Sequence, residues 1–193
     1  MFVASYYHRM SKSSQLSERD LIAGCARRES SAQRALYERY ASLMYSVCVR
    51  YVGREVAKDV LQVGFVTVFD KIDTFKGEGS FEGWMRRIFV NASLMEVRKT
   101  DILRNSEELG DVPVYEAGAQ TIGAIEQLSA KELLGLISEM PPGLRSVFNL
   151  YAVDGYTHAE VGRILGISEM SSRSQLSRAR VWLQEKVKKL YDR

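Results

Sequence analysis

Apolar residues recur every three or four positions along much of this chain, which is the period of an amphipathic α-helix. In the first hundred residues the pattern predicts almost continuous helix, in four segments over residues 17–27, 31–52, 54–72 and 81–99. Ser17 is placed to cap the first helix. The glycine-bearing loop KGEGS separates the last two.

The periodicity fades over residues 101–124, where glycine, proline, small and acidic residues accumulate. Such a composition indicates a linker or an extended segment. Helical periodicity resumes at Ile125 and extends close to the end of the chain. We therefore predict an all-α protein with two small helical domains, residues 17–100 and 125–191, joined by a flexible acidic linker over residues 101–124. We also predict a helix-turn-helix in the C-terminal domain.

Two short signals in the C-terminal domain indicate a helix followed by a tight turn. Thr157 and Glu160 have the spacing of a capping box, in which each side chain binds the backbone amide of the other residue. Gly166 is placed to supply the left-handed residue that ends this helix. The chain then turns directly into the segment SEMSSRSQLSRAR, residues 168–180.

This serine- and arginine-rich segment fits either a disordered basic tail or the polar face of one helix. Apolar residues within and beyond it keep spacings of three or four, at Leu176, Ala179, Leu183, Val187 and Leu190. A disordered tail has no reason to keep that stripe. We therefore predict a single helix over residues 168–190, capped by Ser168.

A capped helix, a glycine turn and a polar second helix are typical of a helix-turn-helix, whose second helix contacts base edges in the major groove. On a helical wheel Ser172 faces the core. The outward face carries the candidate DNA-binding residues Ser171, Ser174, Ser177 and Arg178, flanked by Arg173 and Gln175. Arginine can bind guanine, glutamine adenine, and serine a base or a phosphate. Helix pairs with an arginine-rich solvent face also occur in proteins that never bind DNA, and that alternative stays open.

The net charge is only +3 over 193 residues, but the charged residues are unevenly distributed along the chain. Residues 170–193 are strongly basic, whereas residues 101–132 are strongly acidic. Cys25 and Cys48 lie in apolar helical sequence without the spacing of a metal or disulfide motif. We expect both to be buried free thiols in a reducing compartment.

The sequence offers no catalytic constellation. It has two histidines, and His158 lies inside the predicted capping box. No Ser-His-Asp set, metal-ligand set or phosphate loop is apparent, so we expect no enzyme activity, no cofactor, no metal and no small-molecule substrate. No segment resembles a signal peptide or reaches the length of a membrane span. These features predict a soluble cytoplasmic chain without membrane insertion, and Met10 is a candidate for the true start.

Two valines break the pattern of the third predicted helix. Val63 and Val66 fall on its solvent side, among Asp59, Gln62 and Asp70. Exposed apolar residues with a polar rim often mark a partner surface. A broad core stripe in a helix that packs on both sides explains the same pattern equally well.

Three segments resemble bacterial sigma factors. The run AKDVLQVGFVTVFDKI resembles the helix that docks on the RNA polymerase clamp. The run FKGEGSFEGWMRRIFVNASLMEVRK resembles the segment that opens the minus-10 promoter element. The run MPPGLRSVFNLYAVDGYTHAEVGRILGISEMSSRSQLSRAR is similar to the helix-turn-helix that binds the minus-35 element. Their order and spacing over residues 20–190 resemble the two-domain extracytoplasmic-function (ECF) subfamily.

This resemblance implies a sigma factor that binds core RNA polymerase and promoter DNA, with an anti-sigma factor as a further candidate partner. The matching positions imply polymerase binding by Asp59, Gln62, Phe65 and Val66. They imply minus-10 recognition by Lys76, Gly77, Ser80, Arg87 and Asn91, with Trp84 as a scaffold beneath the loop. The acidic linker resembles the family's connector through the polymerase cleft, although an ordinary solvated linker fits its composition equally well.

The chain departs from the family pattern at two places. Val63 stands where the family usually has an acid, and Gly64 follows it, so the polymerase contact is expected to be more apolar or the helix less stable. Met170-Ser171-Ser172 replaces a frequent Gly-Thr-Val, so base preference cannot be copied from other members. Two alternative functions stay open. The chain could be a stand-alone helix-turn-helix regulator, or a sigma-like decoy that binds an anti-sigma partner without DNA.

Overall fold

The computed structural model describes residues 16–104 and 130–191, and these ranges contain helices and turns but no strand. In chain order the helices are α1 Glu18–Ala26, α2 Ser30–Lys71, α3 Phe81–Arg104, α4 Ala130–Glu139, α5 Pro142–Phe148, α6 His158–Leu165 and α7 Glu169–Tyr191. A 3₁₀ turn, Ile72–Thr74, follows α2, and a π-helical turn, Asn149–Val153, extends α5. The all-α fold class is confirmed. Most of the predicted linker lies outside the described residues.

The described chain divides into two compact units. The first contains the chain up to Cys48 together with Ala57–Ala92, and the second contains Val49–Val56 together with the chain from Ser93 onward. Helix α2 contributes to both units, and its geometry breaks at Gly53, where φ is 77°. Glycine adopts this positive φ without the steric penalty of a side chain. The helices predicted over residues 31–52 and 54–72 therefore correspond to the two parts of α2 on either side of this glycine.

Aromatic rings form much of the core of the first unit. The rings of Phe65 and Phe89 meet edge to face with centroids 5.1 Å apart, and Tyr37 packs on Phe65 at 4.7 Å. Such tilted and perpendicular ring pairs stabilise a core beyond the area that they bury. Ser17 caps α1 as predicted, because its Oγ accepts a hydrogen bond from the Asp20 amide at 3.1 Å.

Gly64 allows α2 and α3 to approach closely in this unit. A Cβ atom at position 64 would lie 2.2 Å from Cε1 of Phe89, well inside van der Waals contact. Packing against Phe89 therefore explains a glycine at position 64, although glycine is otherwise unfavourable in the interior of a helix.

The second unit is organised around the apolar stripe of α7. Ala179, Leu183 and Val187 are buried in one cluster with Leu136 and Met140 of α4 and with Leu144 of α5. Leu133, Phe148 and Trp182 cover the edge of this cluster. Burial of the stripe confirms the predicted helix over residues 168–190 and rules out a disordered tail.

A buried polar network also belongs to the second unit. The carboxylate of Asp154 accepts hydrogen bonds from Arg50 Nη2 at 3.2 Å and from the Tyr51 hydroxyl at 2.6 Å. Burial, with the nearby carboxylate, raises the pKa of the Tyr51 hydroxyl, so this group stays a donor. Asn149 Nδ2 donates to the Arg50 carbonyl at 2.8 Å. Removing one partner from a buried pair of this kind leaves an uncompensated charge and destabilises the fold.

We predict that Gly64→Ala destabilises the protein by about 1 to 3 kcal/mol, because the added methyl group forces the Phe89 ring out of its position. Gly83→Ala is the matched control in α3, since a Cβ atom there would make only ordinary contacts, the nearest at 3.8 Å with Ser80. It should be neutral or stabilising. Urea unfolding of the full chain measures both changes, and a Gly64→Ala variant as stable as the control would contradict the packing role.

Candidate functional site

The two helices of the predicted helix-turn-helix are α6 and α7. Thr157 caps α6, where its Oγ1 accepts from the Glu160 amide at 3.3 Å and Glu160 Oε2 accepts from the Thr157 amide at 2.8 Å. Gly166 ends the helix with a φ of 74°. Both predicted signals, the capping box and the left-handed glycine, are confirmed.

The turn between these helices is held by a close backbone contact. A Cβ atom at Gly162 would lie 2.7 Å from the carbonyl oxygen of Ile167, so only glycine fits beneath the turn. The Ile167 amide donates to the Gly162 carbonyl at 3.0 Å. Ser168 then caps α7 as predicted, because its Oγ accepts from the Ser171 amide at 3.0 Å.

Ser172 points into the domain, as the helical wheel predicts. It is fully buried, and its Oγ lies 2.9 Å from Nδ1 of His158 in α6. The His158 ring is stacked on Tyr151 with centroids 4.1 Å apart. This contact joins the first turn of α6 to the first turn of α7 and fixes the rotation of α7 about its own axis.

The candidate minus-35 residues share the first three turns of α7 but differ in exposure. Arg173 is exposed, and its Nη2 lies 2.5 Å from Oε1 of Glu169. Gln175 is half-buried and donates from Nε2 to Ser171 Oγ at 3.2 Å. Arg173, which is predicted to flank the outward face, is thus more exposed than the other candidate minus-35 residues. The i,i+4 spacing of Glu169 and Arg173 is a sequence signal that could have predicted this ion pair.

The rest of this face consists of Ser174, Ser177 and Arg178, all partly exposed. Arg178 is less exposed than the wheel suggests. Its Nε is buried and has no hydrogen-bond partner in the part of the chain that the structure describes. A guanidinium group carries five N–H donors and can bind a partner that offers acceptor atoms.

The candidate minus-10 residues lie on the loop before α3 and on its first turns. Gly77 and Gly79 both have positive φ, at 76° and 79°, so the loop needs glycine at both positions. Ser80 Oγ accepts from the Gly83 amide at 3.3 Å at the start of α3. Lys76 and Ser80 are exposed, and so are Arg87 and Asn91, which lie one helical turn apart.

Three aromatic rings support this loop from below. Phe81 is buried and stacks on Trp84 with ring centroids 5.5 Å apart, while Phe75 packs on Phe81 at 5.1 Å. Phe75 and Phe81 lie at the two ends of the loop, so their contact closes it. The half-buried position of Trp84 agrees with its predicted role as a scaffold.

Four residues of α2 form one exposed face at spacings of three and four, namely Asp59, Gln62, Val63 and Val66, hereafter the α2 face. Val63 is 59% exposed and Val66 is 61% exposed, so the predicted solvent-side valines are confirmed. Phe65 requires a correction, because it is only 3% exposed and packs against Tyr37 and Phe89. It supports the α2 face from beneath and cannot present its ring to a partner.

Within residues 16–104 and 130–191 no helix is both long and apolar enough to cross a membrane. The same ranges contain no group of three or more side chains placed to hold a metal ion. Cys25 and Cys48 are buried and are not joined by a disulfide, as predicted. Burial, followed by the nearby Glu29, raises the pKa of the Cys25 thiol to about 11.

Comparison with known proteins assigns both halves of the chain to one family. Residues 36–102 match the family model described as Sigma-70 region 2, and residues 130–183 match that described as Sigma-70, region 4. The two matches together cover more than half of the chain.

Several curated proteins of comparable length are similar to this chain. The ECF RNA polymerase sigma-E factor of Escherichia coli K12 is 28% identical over 195 residues, covering 94% of this chain and all of that protein. That of Haemophilus influenzae is 26% identical, covering 91% and 98%. A solved structure of the sigma factor RpoE with the anti-sigma factor NepR from Bartonella quintana matches the fold with a TM-score of 0.50 at 19% identity. That match covers 80% of this chain and 96% of the other.

We predict that acid destabilises this protein through His158. Burial lowers the pKa of the imidazole, and the positive charges of Arg173 and Arg180 lower it further against the opposing effect of Glu169. Below the ordinary histidine pKa of about 6.5 the unfolded chain therefore takes up a proton that the folded chain does not. The free energy of unfolding should fall as the pH drops below this value.

The measurement compares urea unfolding of the full chain and of His158→Gln at pH 7.5 and pH 5.5. The wild type should lose up to about 1 kcal/mol more than the variant over this interval. Equal losses would show that His158 contributes nothing to the pH dependence.

Proposed function

Because this chain belongs to the sigma-70 family, in its ECF subfamily of RNA polymerase sigma factors, we propose a division of its function between two helical regions. The protein binds core RNA polymerase and directs promoter-specific initiation of transcription. The N-terminal region docks on the polymerase and recognises the minus-10 element, and the C-terminal helix-turn-helix recognises the minus-35 element. Residues 17–100, 101–124 and 125–191 are the proposed limits of the N-terminal domain, the linker and the C-terminal domain.

One observation carries the minus-35 assignment, which is the fixed rotation of α7. Burial of its apolar stripe and the contact between Ser172 and His158 leave the polar first turns of α7 facing outward. In a helix-turn-helix this part of the second helix enters the major groove. We assign base and phosphate contacts to Ser171, Arg173, Ser174, Gln175, Ser177 and Arg178.

The glycine loop before α3 suits the capture of an unpaired base. Its two glycines let backbone amides approach a base closely, and Lys76 and Arg87 can bind neighbouring phosphates. Melting of the minus-10 element supplies such unpaired bases. We assign minus-10 contacts to Lys76, Gly77, Ser80, Arg87 and Asn91.

The α2 face is the proposed polymerase-docking surface. Val63 and Val66 supply exposed apolar area, and Asp59 and Gln62 supply a polar rim. This composition is typical of a protein interface. The exposed Val63 makes the contact more apolar than an acid at that position would.

The protein acts as a specificity subunit, so we propose that it has no catalytic activity or cofactor of its own and takes no small-molecule substrate. The catalytic centre belongs to the polymerase, and the site of action is the cytoplasm. An anti-sigma factor is a further proposed partner, because a structural neighbour was solved with one.

Run-off transcription with purified core polymerase tests the proposed function. Initiation from selected promoters only when the chain is present is the expected result. DNA binding without polymerase would instead favour a stand-alone regulator. Binding to an anti-sigma protein without any transcription would favour a decoy.

We predict that Gln62→Ala weakens binding to core polymerase by about tenfold, a typical loss for a residue central to an interface. Lys71→Ala is the control, because Lys71 is exposed at the end of the same helix and lies outside the α2 face. Affinity measured by fluorescence anisotropy of the labelled full chain distinguishes the two variants. Unchanged polymerase binding by Gln62→Ala would remove this residue from the docking surface.

We predict that Arg178→Ala weakens promoter recognition, with a free-energy loss of about 1 to 3 kcal/mol, and so reduces promoter use. It should also change the preference at one base pair, as expected for a direct base contact. Arg178→Lys keeps the charge but loses the two-pronged hydrogen bonding of the guanidinium group. Transcription from a set of single-base promoter variants measures both. A uniform loss over all promoters, restored by lysine, would assign Arg178 to a phosphate.

A further inference from the structure

The first turn of α7 exposes a large apolar side chain that nothing in the fold requires. Met170 is 78% exposed, more than any other large apolar residue in the part of the chain that the structure describes. Its neighbours along the helix are engaged elsewhere. Glu169 pairs with Arg173, Ser171 bonds to Gln175, and Ser172 faces His158.

Met170 shares a line with two serines of the minus-35 face. With Leu176 at zero on the helical wheel, Met170 lies at about 120°, between Ser177 at about 100° and Ser174 at about 160°. The three residues follow spacings of four and three, so they form one ridge along α7. Met170 is the first residue of that ridge and lies nearest the N-terminus of the helix.

The chemistry of the major groove offers an apolar partner at this position. The C5-methyl group of thymine is the apolar group that base pairs present there, and apolar side chains distinguish thymine by contacting it. A methionine side chain is flexible and polarizable, so it can adapt to a methyl group without a preformed pocket. The N-terminal residues of a recognition helix are those that reach base edges.

We propose that Met170 is a specificity-determining residue that selects a thymine in the minus-35 element by contacting its C5-methyl group. The proposal rests on the proposed function, since it needs α7 to lie in the major groove of that element. It assigns a base preference to the position at which this chain departs from the Gly-Thr-Val of its family. The polar residues of the same face then bind neighbouring bases and phosphates.

The test uses holoenzyme assembled from the full chain and core polymerase. Selection from a library with a random minus-35 region first defines the preferred sequence. Each thymine in that sequence is then replaced singly by deoxyuridine, which removes the methyl group and keeps the base pair. Wild-type holoenzyme should lose about fourfold in promoter binding at one such position, the loss expected for one buried methyl group.

Variants at position 170 connect that loss to the side chain. Met170→Ala should bind the thymine and deoxyuridine promoters equally, whereas Met170→Leu should retain part of the preference because it keeps an apolar side chain. Met95→Ala is the matched control, since Met95 is 70% exposed on α3, outside the helix-turn-helix. It should keep the full thymine preference of the wild type.

The outcomes separate this proposal from the function on which it rests. Wild-type holoenzyme that selects no minus-35 sequence would overturn both. Selection of a sequence without any effect of the methyl group would overturn the role of Met170 alone. The role of Met170 would also be overturned if Met170→Ala kept the wild-type preference for thymine. It would likewise be overturned if this variant lowered polymerase binding and reduced binding to all promoters equally.

Discussion

The function proposed for this protein depends on one packing constraint, the burial of the apolar stripe of α7. Ala179, Leu183 and Val187 are fixed against α4 and α5, and successive helical residues are rotated by about 100°. Once the stripe is buried, the direction of every other side chain on α7 is determined. The contact between Ser172 and His158 applies the same constraint at the first turn, where the stripe itself has not yet begun.

The turn between α6 and α7 fixes the residue at which α7 begins. Gly162 lets the Ile167 carbonyl approach α6, and Gly166 reverses the chain within a few residues. The capping box sets the start of α6, and Ser168 sets the start of α7. These local interactions are individually weak, of the order of 1 kcal/mol each. Together they specify which turn of α7 is presented first to a partner, and Met170 lies in that turn.

Elements defined by short-range chemistry were predictable from the sequence. The helix of residues 168–190 follows from the spacing of Leu176 and the apolar residues after it, and the α6 cap follows from Thr157 and Glu160. Helical period also places Val63 and Val66 on the solvent side of α2, although only their exposure in the structure excludes a helix that packs on both sides. These features need only the helical geometry and the identity of residues three or four positions apart.

Features that depend on contacts distant in sequence were not predictable. Helical periodicity places Phe65 on the inner side of α2, but the family resemblance places it in the docking set, and only its packing on Tyr37 and Phe89 decides between them. The hydrogen bonds that Arg50 and Tyr51 make to Asp154 join residues about a hundred positions apart, a pairing that no local pattern encodes. The limited exposure of Arg178 has the same origin, since a wheel cannot show which neighbouring helix covers one flank of α7.

The central claim is that the N-terminal half of α7 lies against the minus-35 element. Site-specific photocrosslinking in the holoenzyme–promoter complex tests it most directly, with the probe placed at Ser174 or at Leu190, about 24 Å further along the same helix. Crosslinks to minus-35 bases from position 174, and none from position 190, are the predicted result. Base crosslinks of equal strength from both positions, or from position 190 alone, would contradict the proposed orientation of the helix.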